Sequence, residues 1–375
     1  MAPSIRIIGS LNADMVSVTP RFPDAGETIT SSAYFTSAGG KGANQAVACG
    51  RLSRPQSDSS SSDVQVEMVG AVGGLDGHFS ALLQPTLSRS GVATDRVKVV
   101  EDAYTGVAVI IVDSSAGGEN RICFSPGANY SGMKSEKSVL DMALAEPVPD
   151  IIVMQGEIPT ETTVGILRTI AEYKEGQRKS GKRGIEAGPD VIFNPAPAPP
   201  GGLPGDVYKG VDHLVMNETE AELMTPDEET LLSVPGIEKG QDGKEKVARY
   251  FHSLGVSYIL VTLGAKGIWY SAADPGSGSS LTNRVTNEIP ASKVSRVLDT
   301  TAAGDTFVGA YAVKIARWRE ARRGDGLAAS NLTDDEKKTR YGSVMDEAMD
   351  IATRASARCV ERQGAMDSIP WEDEI

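Results

Sequence analysis

Short runs of aliphatic residues recur along the chain, each closing on small or polar residues, and most lead into a stretch with helical spacing. Residues 5–9, 66–72, 151–154, 191–193, 213–216 and 258–261 are such runs. A strand covered on both faces reads as a continuous apolar run, whereas a half-exposed strand alternates. The pattern therefore predicts an α/β chain: a parallel sheet with helices packed on each side. Helices are predicted from the 38–46 segment to about Leu52, over 161–173, after Asp305 and over 343–360. Loose alternation over 16–36, broken by Pro20, Pro23 and Gly26, marks an edge ribbon or flap. Residues 106–112 and 121–124, joined by Gly117-Gly118, read as a hairpin able to pair with that flap in a second layer. The polar stretches 53–63, 174–189 and 317–340 read as surface loops or insertions.

Polar residues gather where the predicted strands end: Asn12 and Asp14, Glu157, Asn194, Asn217 and Glu220, and Thr262. In an open parallel sheet these positions share the carboxyl edge, where ligands bind. The repeated clustering points to a site.

The most informative stretch is Asp299-Thr300-Thr301-Ala302-Ala303-Gly304-Asp305-Thr306-Phe307, preceded by the apolar run 294–298 and followed by helical spacing. Small residues at 302–304 permit a tight turn with uncovered amides, and the positive end of the following helix points at the same spot. A carboxylate there, Asp305, suits a base that takes a proton from a hydroxyl while phosphoryl charge builds beside it. Equally, Asp305 reads as a first-turn acid that complements the helix dipole.

Gly39-Gly40-Lys41-Gly42 is not a P-loop, because Gly42 stands where Ser or Thr is required and Phe35 where the first glycine belongs. The glycines instead allow close approach to a polyhydroxyl ligand, with Lys41 and Asn44 as donors at a helix start, or else serve tight helix packing. Asn12 and Asp14 add acceptors suited to vicinal hydroxyls, though Asn-x-Asp after a strand also forms turns. Asn217 and Glu220, at i and i+3, suit hydrated Mg²⁺ and equally suit an N-cap with its capping-box Glu.

Composition narrows the setting. The 375 residues are 40% hydrophobic and 23% charged, ordinary globular values, with a formal net charge of −13. That charge argues against nucleic acid or an anionic membrane as partner. Cys49, Cys123 and Cys359 lie far apart with no metal-type spacing, which suits reduced thiols. The chain shows no signal-peptide pattern and no apolar segment near the roughly 18 residues of a membrane span, so a cytoplasmic protein is expected, also nuclear if the source is eukaryotic.

Together, Asn12-Ala13-Asp14, Gly39-Gly40-Lys41-Gly42-Ala43-Asn44-Gln45-Ala46, Asn217-Glu218-Thr219-Glu220, Thr262-Leu263-Gly264 and the 299–307 stretch resemble the ribokinase-like family of carbohydrate kinases. They occur in that family's order and span nearly the whole chain. The resemblance implies a single domain over 1–375, a three-layer α/β/α Rossmann-like fold with a small β-sheet lid from about 12–40 and 102–126. The first two motifs together are most similar to members that phosphorylate ribose at O5 with ATP, more than to those acting on fructose or adenosine. A non-catalytic sugar or nucleotide sensor on the same scaffold is the alternative from another class.

Residue by residue, the resemblance makes Asp305 the base and the amides of Ala302, Ala303 and Gly304 the anion hole. Asn12, Asp14, Gly40, Lys41, Asn44 and Glu157 would hold ribose. Asn217, Thr262, Gly264, Gly267 and Thr353 would line the ATP site with Ala303 and Gly304, and Glu220 would organise Mg²⁺ through water. A monovalent-cation site for K⁺ maps to Asp299, Thr301, Cys359, Arg362, Gly364 and Ser368. The lid is expected to serve a homodimer as a clasp. Two positions depart from the family pattern: Thr353 stands where relatives often carry His or Asn beside adenine, and Gly156 precedes Glu157.

Overall fold

The computed structural model describes residues 2–58, 62–115, 119–274, 281 and 283–375. Its strands are β1 (Ser4–Ile8), β2 (Asn12–Thr19), β3 (Ala33–Gly39), β4 (Gln65–Gly73), β5 (Val92–Val100), β6 (Gly106–Asp113), β7 (Glu119–Ser125), β8 (Ile151–Met154), β9 (Asp190–Phe193), β10 (His213–Asn217), β11 (Tyr258–Thr262), β12 (Ile268–Ala272) and β13 (Val285–Ile289). Nine of them form one sheet in the order β13-β12-β11-β10-β9-β8-β1-β4-β5. From β11 to β5 every pairing is parallel, and β12 and β13 extend the sheet antiparallel.

Alternate side chains of the central strands feed two separate cores. Ile5, Ile7, Val153 and Ile192 pack under the Lys41–Arg51, Ala303–Gly324 and Ser343–Val360 helices. Ile8, Ile152, Met154 and Val191 pack under Thr160–Lys179 and Gly243–Ser253. The result is a three-layer α/β/α chain, in which each fully buried aliphatic side chain contributes about 1.5–3 kcal/mol. Where polar groups enter these layers they are bonded. Arg6, fully buried on β1, reaches Glu67 at 2.7 Å and the carbonyls of Met142, Ala143 and Pro147.

β1 lies between β4 and β8, so the chain leaves it first to one side and later returns to the other. Carboxyl ends diverge at such a switch point and leave a crevice. The second sheet, in the order β3-β2-β6-β7, starts at this crevice, with β2 running parallel to β6 from the Asn12–Gly106 pair onward. The Gly117-Gly118 turn expected between β6 and β7 lies outside the described residues.

Several expectations need correction. The Thr160–Lys179 helix runs past Tyr173 into the stretch expected to be a loop, and it buries the Lys174 stem while Nζ bonds Asp212. The 317–340 stretch is not a solvated insertion throughout. The Ala303–Gly324 helix runs into it, a capped helix spans Asp334–Tyr341, and Arg319, Arg322 and Arg340 are buried. Arg319 bonds Asp190 at 2.8 Å and Arg322 bonds Glu336 at 2.7 Å. Arg340 lies between the rings of Tyr258 and Trp318, 4.5 Å from each. Strands β5 and β13 were not legible because they sit at the sheet's ends, where polar and charged residues interrupt the apolar ones, and β12 is a five-residue run beside β13. The apolar run 294–298 is irregular, with Val294, Val297 and Leu298 exposed.

The Lys41–Arg51 and Ala303–Gly324 helices touch at Gly309, where an added Cβ would collide with Ala48 and sit 2.9 Å from the Cys49 amide. Gly309→Val should therefore cost about 1–3 kcal/mol. Gly176, exposed in the last turn of the Thr160–Lys179 helix with nothing within 4 Å of an added Cβ, should gain up to roughly 0.5–1 kcal/mol on change to Ala. Urea unfolding of both variants against the parent checks the pair.

Candidate active site

At the switch point a cavity of ≈ 430 Å³ opens between the main sheet and the second sheet. Its wall includes Asn12, Asp14, Gly40, Lys41, Asn44 and Glu157 on one side, and Asn217, Glu220, Thr262, Thr301, Ala302, Gly304 and Asp305 on the other. Ala108, Ile110, Ile122 and Phe124 of the second sheet close it with an apolar face. A second depression of ≈ 390 Å³, between the Glu218–Met224 and Gly243–Ser253 helices, holds none of the candidate residues.

The turn at 299–304 is built around Ala302, whose φ of 60° and ψ of 6° are left-handed. A residue with a Cβ pays steric strain there, of the kind found at functional turns. The Asp299 carboxylate fixes the approach by accepting from the Thr301 amide at 2.9 Å. The Ala303 amide donates to Thr300 O at 3.3 Å, whereas those of Ala302 and Gly304 have no acceptor among the described residues. Both residues line the cavity, at the positive end of a 22-residue helix. A Cβ at Gly304 would meet nothing within 4 Å, so the space in front of this turn is open.

Asp305 is 5% exposed, and each of its oxygens is held by a neutral amide. Asn44 Nδ2 donates to Oδ2 at 3.0 Å and Gln45 Nε2 to Oδ1 at 2.9 Å. Gln45 is itself fixed, donating to Asn194 Oδ1 at 3.2 Å and accepting from Gln155 Nε2 at 2.6 Å. Gln45 and Gln155 were not singled out by sequence reasoning. The one available signal was that adjacent Asn44 and Gln45 occupy a helix whose remaining residues are mostly small. Ser10 was also missed. Its hydroxyl donates to Glu157 Oε2 at 2.5 Å, and the Lys41 amide donates to the same oxygen at 3.0 Å, so Gly156 leaves Glu157 well anchored.

Three carboxylates, Asp305, Glu157 and Glu220, act on the Lys41 ammonium. Asp305 and then Glu157 raise the pKa of Lys41 against the opposing effect of burial, and Lys41 makes no ion pair within 4 Å among the described residues. Burial, reinforced by Glu157 and Asp305, lifts Asp14 from 3.8 to about 7. Burial also raises Glu220. Glu220 and Asn217 form the reciprocal capping box, at 2.8 Å and 2.7 Å, which leaves Glu220 one carboxylate oxygen for other use.

The pfkB family of carbohydrate kinases matches residues 2–372. The chain belongs to that family. It is similar to a ribokinase of Schizosaccharomyces pombe, 35% identical over 370 residues that cover 98% of this chain and 95% of the other. Among solved structures, a Giardia lamblia ribokinase aligns with a TM-score of 0.73 at 26% identity, covering 100% of this chain and 97% of that one. An Arabidopsis thaliana ribokinase complexed with ribose and ATP aligns with a TM-score of 0.70 at 27% identity, again over 100% and 97%.

Most of the other candidate residues of this pfkB kinase lie outside the cavity wall, which Thr301 alone of them reaches. Gly264 and Gly267 flank the turn after β11, with φ of 57° and 113°. The Thr353 hydroxyl is spent on Asp350 O at 2.9 Å. Asp299, Thr301, Cys359, Gly364 and Ser368 form one cluster behind the 299–304 turn. Asp299 also accepts from the Gly364 amide at 3.0 Å, and Cys359 Sγ contacts Thr301 O at 3.5 Å and Ser368 Oγ at 3.0 Å. The Arg362 side chain turns away to Glu374 at 2.7 Å.

The raised Asp14 carboxyl has a thermodynamic sign. The folded chain binds that proton more tightly than the unfolded chain, so this contribution to stability is full below about pH 4 and is lost as pH rises through about 7. Asp14→Asn, which has no such proton, should melt above the parent at pH 8, with the gap closing on titration towards pH 4. An equal gap at both ends of that range would contradict the assignment.

Proposed function

We propose that this pfkB carbohydrate kinase transfers the terminal phosphoryl group of ATP to O5 of D-ribose, giving ribose 5-phosphate and ADP. The observation that carries the proposal is the juxtaposition of Asp305, clamped by Asn44 and Gln45, with the free amides of Ala302 and Gly304 in one cavity. The similarity to ribokinases, one of them solved with ribose and ATP, supports the choice of substrates.

Phosphoryl transfer needs alignment and charge neutralisation more than covalent help from the protein. Asn12, Asp14, Gly40, Lys41, Asn44 and Glu157 hold the sugar so that O5 faces Asp305. Asp305 takes the O5 proton as the bond from O5 to phosphorus forms and the bond to the ADP oxygen breaks. The Ala302 and Gly304 amides, with Ala303 beside them, and the Lys41 ammonium take up oxyanion charge. Asn217, Thr262, Gly264, Gly267 and Thr353 bound the nucleotide side. Closure of the second sheet as a lid over the sugar, its Ile122 and Phe124 side inward, keeps water from competing for the phosphate.

The donor sets suit two cations. Glu220, with one free oxygen facing the cavity, fits a hydrated Mg²⁺ held through water. Asp299 forms no ion pair among the described residues and bridges the 299–304 turn to Gly364, so it fits K⁺ together with carbonyl oxygens of Thr301, Cys359, Arg362, Gly364 and Ser368. When bound, these ions neutralise phosphate charge and stiffen the amide turn. We also place the chain in the cytosol, where its free thiols Cys49, Cys123 and Cys359 stay reduced. The outer lid face, with Tyr34 65% and Val109 43% exposed, is the surface through which two copies would clasp.

Asp305→Asn should lose on the order of 10²–10⁴-fold in turnover while still binding ribose by calorimetry, the usual share of a general base. Near-parental turnover would assign the base elsewhere. Replacing Na⁺ by K⁺ at constant ionic strength should raise the rate, and a flat response would remove the monovalent site. In an ADP-release assay over ribose, fructose and adenosine, faster turnover of either of the latter two would replace the substrate.

A further inference from the structure

Asn129 has no place in the reaction described above, yet it decides which atom Asn12 shows to the cavity. It is fully buried on the short Ala128–Ser131 helix. Its Oδ1 accepts from the Leu11 amide at 2.9 Å, and only an oxygen can take that bond. The Asn129 Nδ2 must then face the other way, where it donates to Leu11 O at 3.2 Å and to Asn12 Oδ1 at 2.7 Å. Asn12 Oδ1 is thereby turned into the wall, and the NH₂ group of Asn12, which has no partner among the described residues, is the end with hydrogens to offer a ligand. The oxygen that the sequence offers as an acceptor is thus already engaged within the wall.

Room for the interlocked amides comes from β6. Gly106 pairs with Asn12, and a Cβ there would collide with both Asn129 Nδ2 and Asn12 Oδ1. Asp14 lies two residues along β2, on the same face of the strand, and also lines the cavity. Once ionised it can only accept. A donor and an acceptor therefore stand side by side in fixed order.

We propose that Asn129 is a positioning residue that locks Asn12 as a donor, so that Asn12 and Asp14 together recognise sugar hydroxyls by their polarity. The inference rests on the ribose-kinase reading of this cavity. A hydroxyl accepts from Asn12 and donates to Asp14, and two vicinal hydroxyls pass the same direction along a chain. An ether or carbonyl oxygen leaves Asp14 facing a lone pair, and a deoxy carbon leaves both groups without a partner. Sites built around such buried polar groups reject the analogue that lacks the hydroxyl.

The test compares the parent with Asn12→Asp, Asn129→Leu and the double variant at pH 8. The substrates are ribose and its 2-deoxy and 3-deoxy analogues, with calorimetry of sugar binding alongside kinetics. For at least one deoxy sugar the parent should show KM raised about tenfold or more over ribose. Asn129→Leu should raise KM for ribose about tenfold and bring the deoxy-to-ribose ratio within about threefold, with KM for ATP moving less than about twofold. Asn12→Asp, which keeps the shape but removes the donor, should do the same. The double variant should be no worse than either single one, because both remove the same contact.

Additive losses, a parallel rise in KM for ATP, or ribose binding undiminished in Asn12→Asp would overturn the proposal. Should Asn129→Leu fold poorly, Asn12→Asp decides the donor question alone. A parent inert towards every pentose would strike the functional reading, whereas an active parent whose variants discriminate as it does would strike this inference only.

Discussion

The site depends on one constraint: a buried carboxylate with no salt bridge must still be kept in one orientation. Asp305 meets it with neutral donors, the side-chain amides of two consecutive residues, Asn44 and Gln45. A guanidinium in their place would bind the carboxylate more strongly and compete with the proton it is proposed to take. Amides orient without that competition, and the orientation of Gln45 is set in turn by Asn194 and Gln155. The nearby positive charge, Lys41, is left free of any ion pair within 4 Å among the described residues, as its proposed part in meeting oxyanion charge requires.

The fold supplies the geometry for this at little cost in irregular backbone. Parallel strands end together at one edge, the switch between β8 and β4 opens a crevice there, and the second sheet starts from the same edge at Asn12. Strain is concentrated at Ala302, where a left-handed residue turns the chain into the helix that carries Asp305.

Much of this was legible in the sequence because buried parallel strands and glycine-rich turns leave local signatures. The central strands, the helix start at Lys41 and the 299–307 turn each follow from a few neighbouring residues. What was not legible depends on distant partners. Asn129 and Asn12, 117 positions apart, acquire meaning only from each other. Gln155 reads as an ordinary polar residue after a strand until it is seen to orient Gln45. The charged 317–340 stretch looks solvated until Asp190 and the rings of Tyr258 and Trp318 are placed around its arginines. The orientation of the Asn12 amide depends on the same kind of distant partner, since an amide's polarity towards a ligand is set by its neighbours.

The close crossing at Gly309 has a mechanical consequence. One helix of that crossing bears the amide clamp and the other bears the carboxylate it grips, and with only the Ala48 methyl facing Gly309 the two backbones lie close together. The spacing between gripper and gripped is set by this direct packing, as in a tool whose jaw and anvil share one casting.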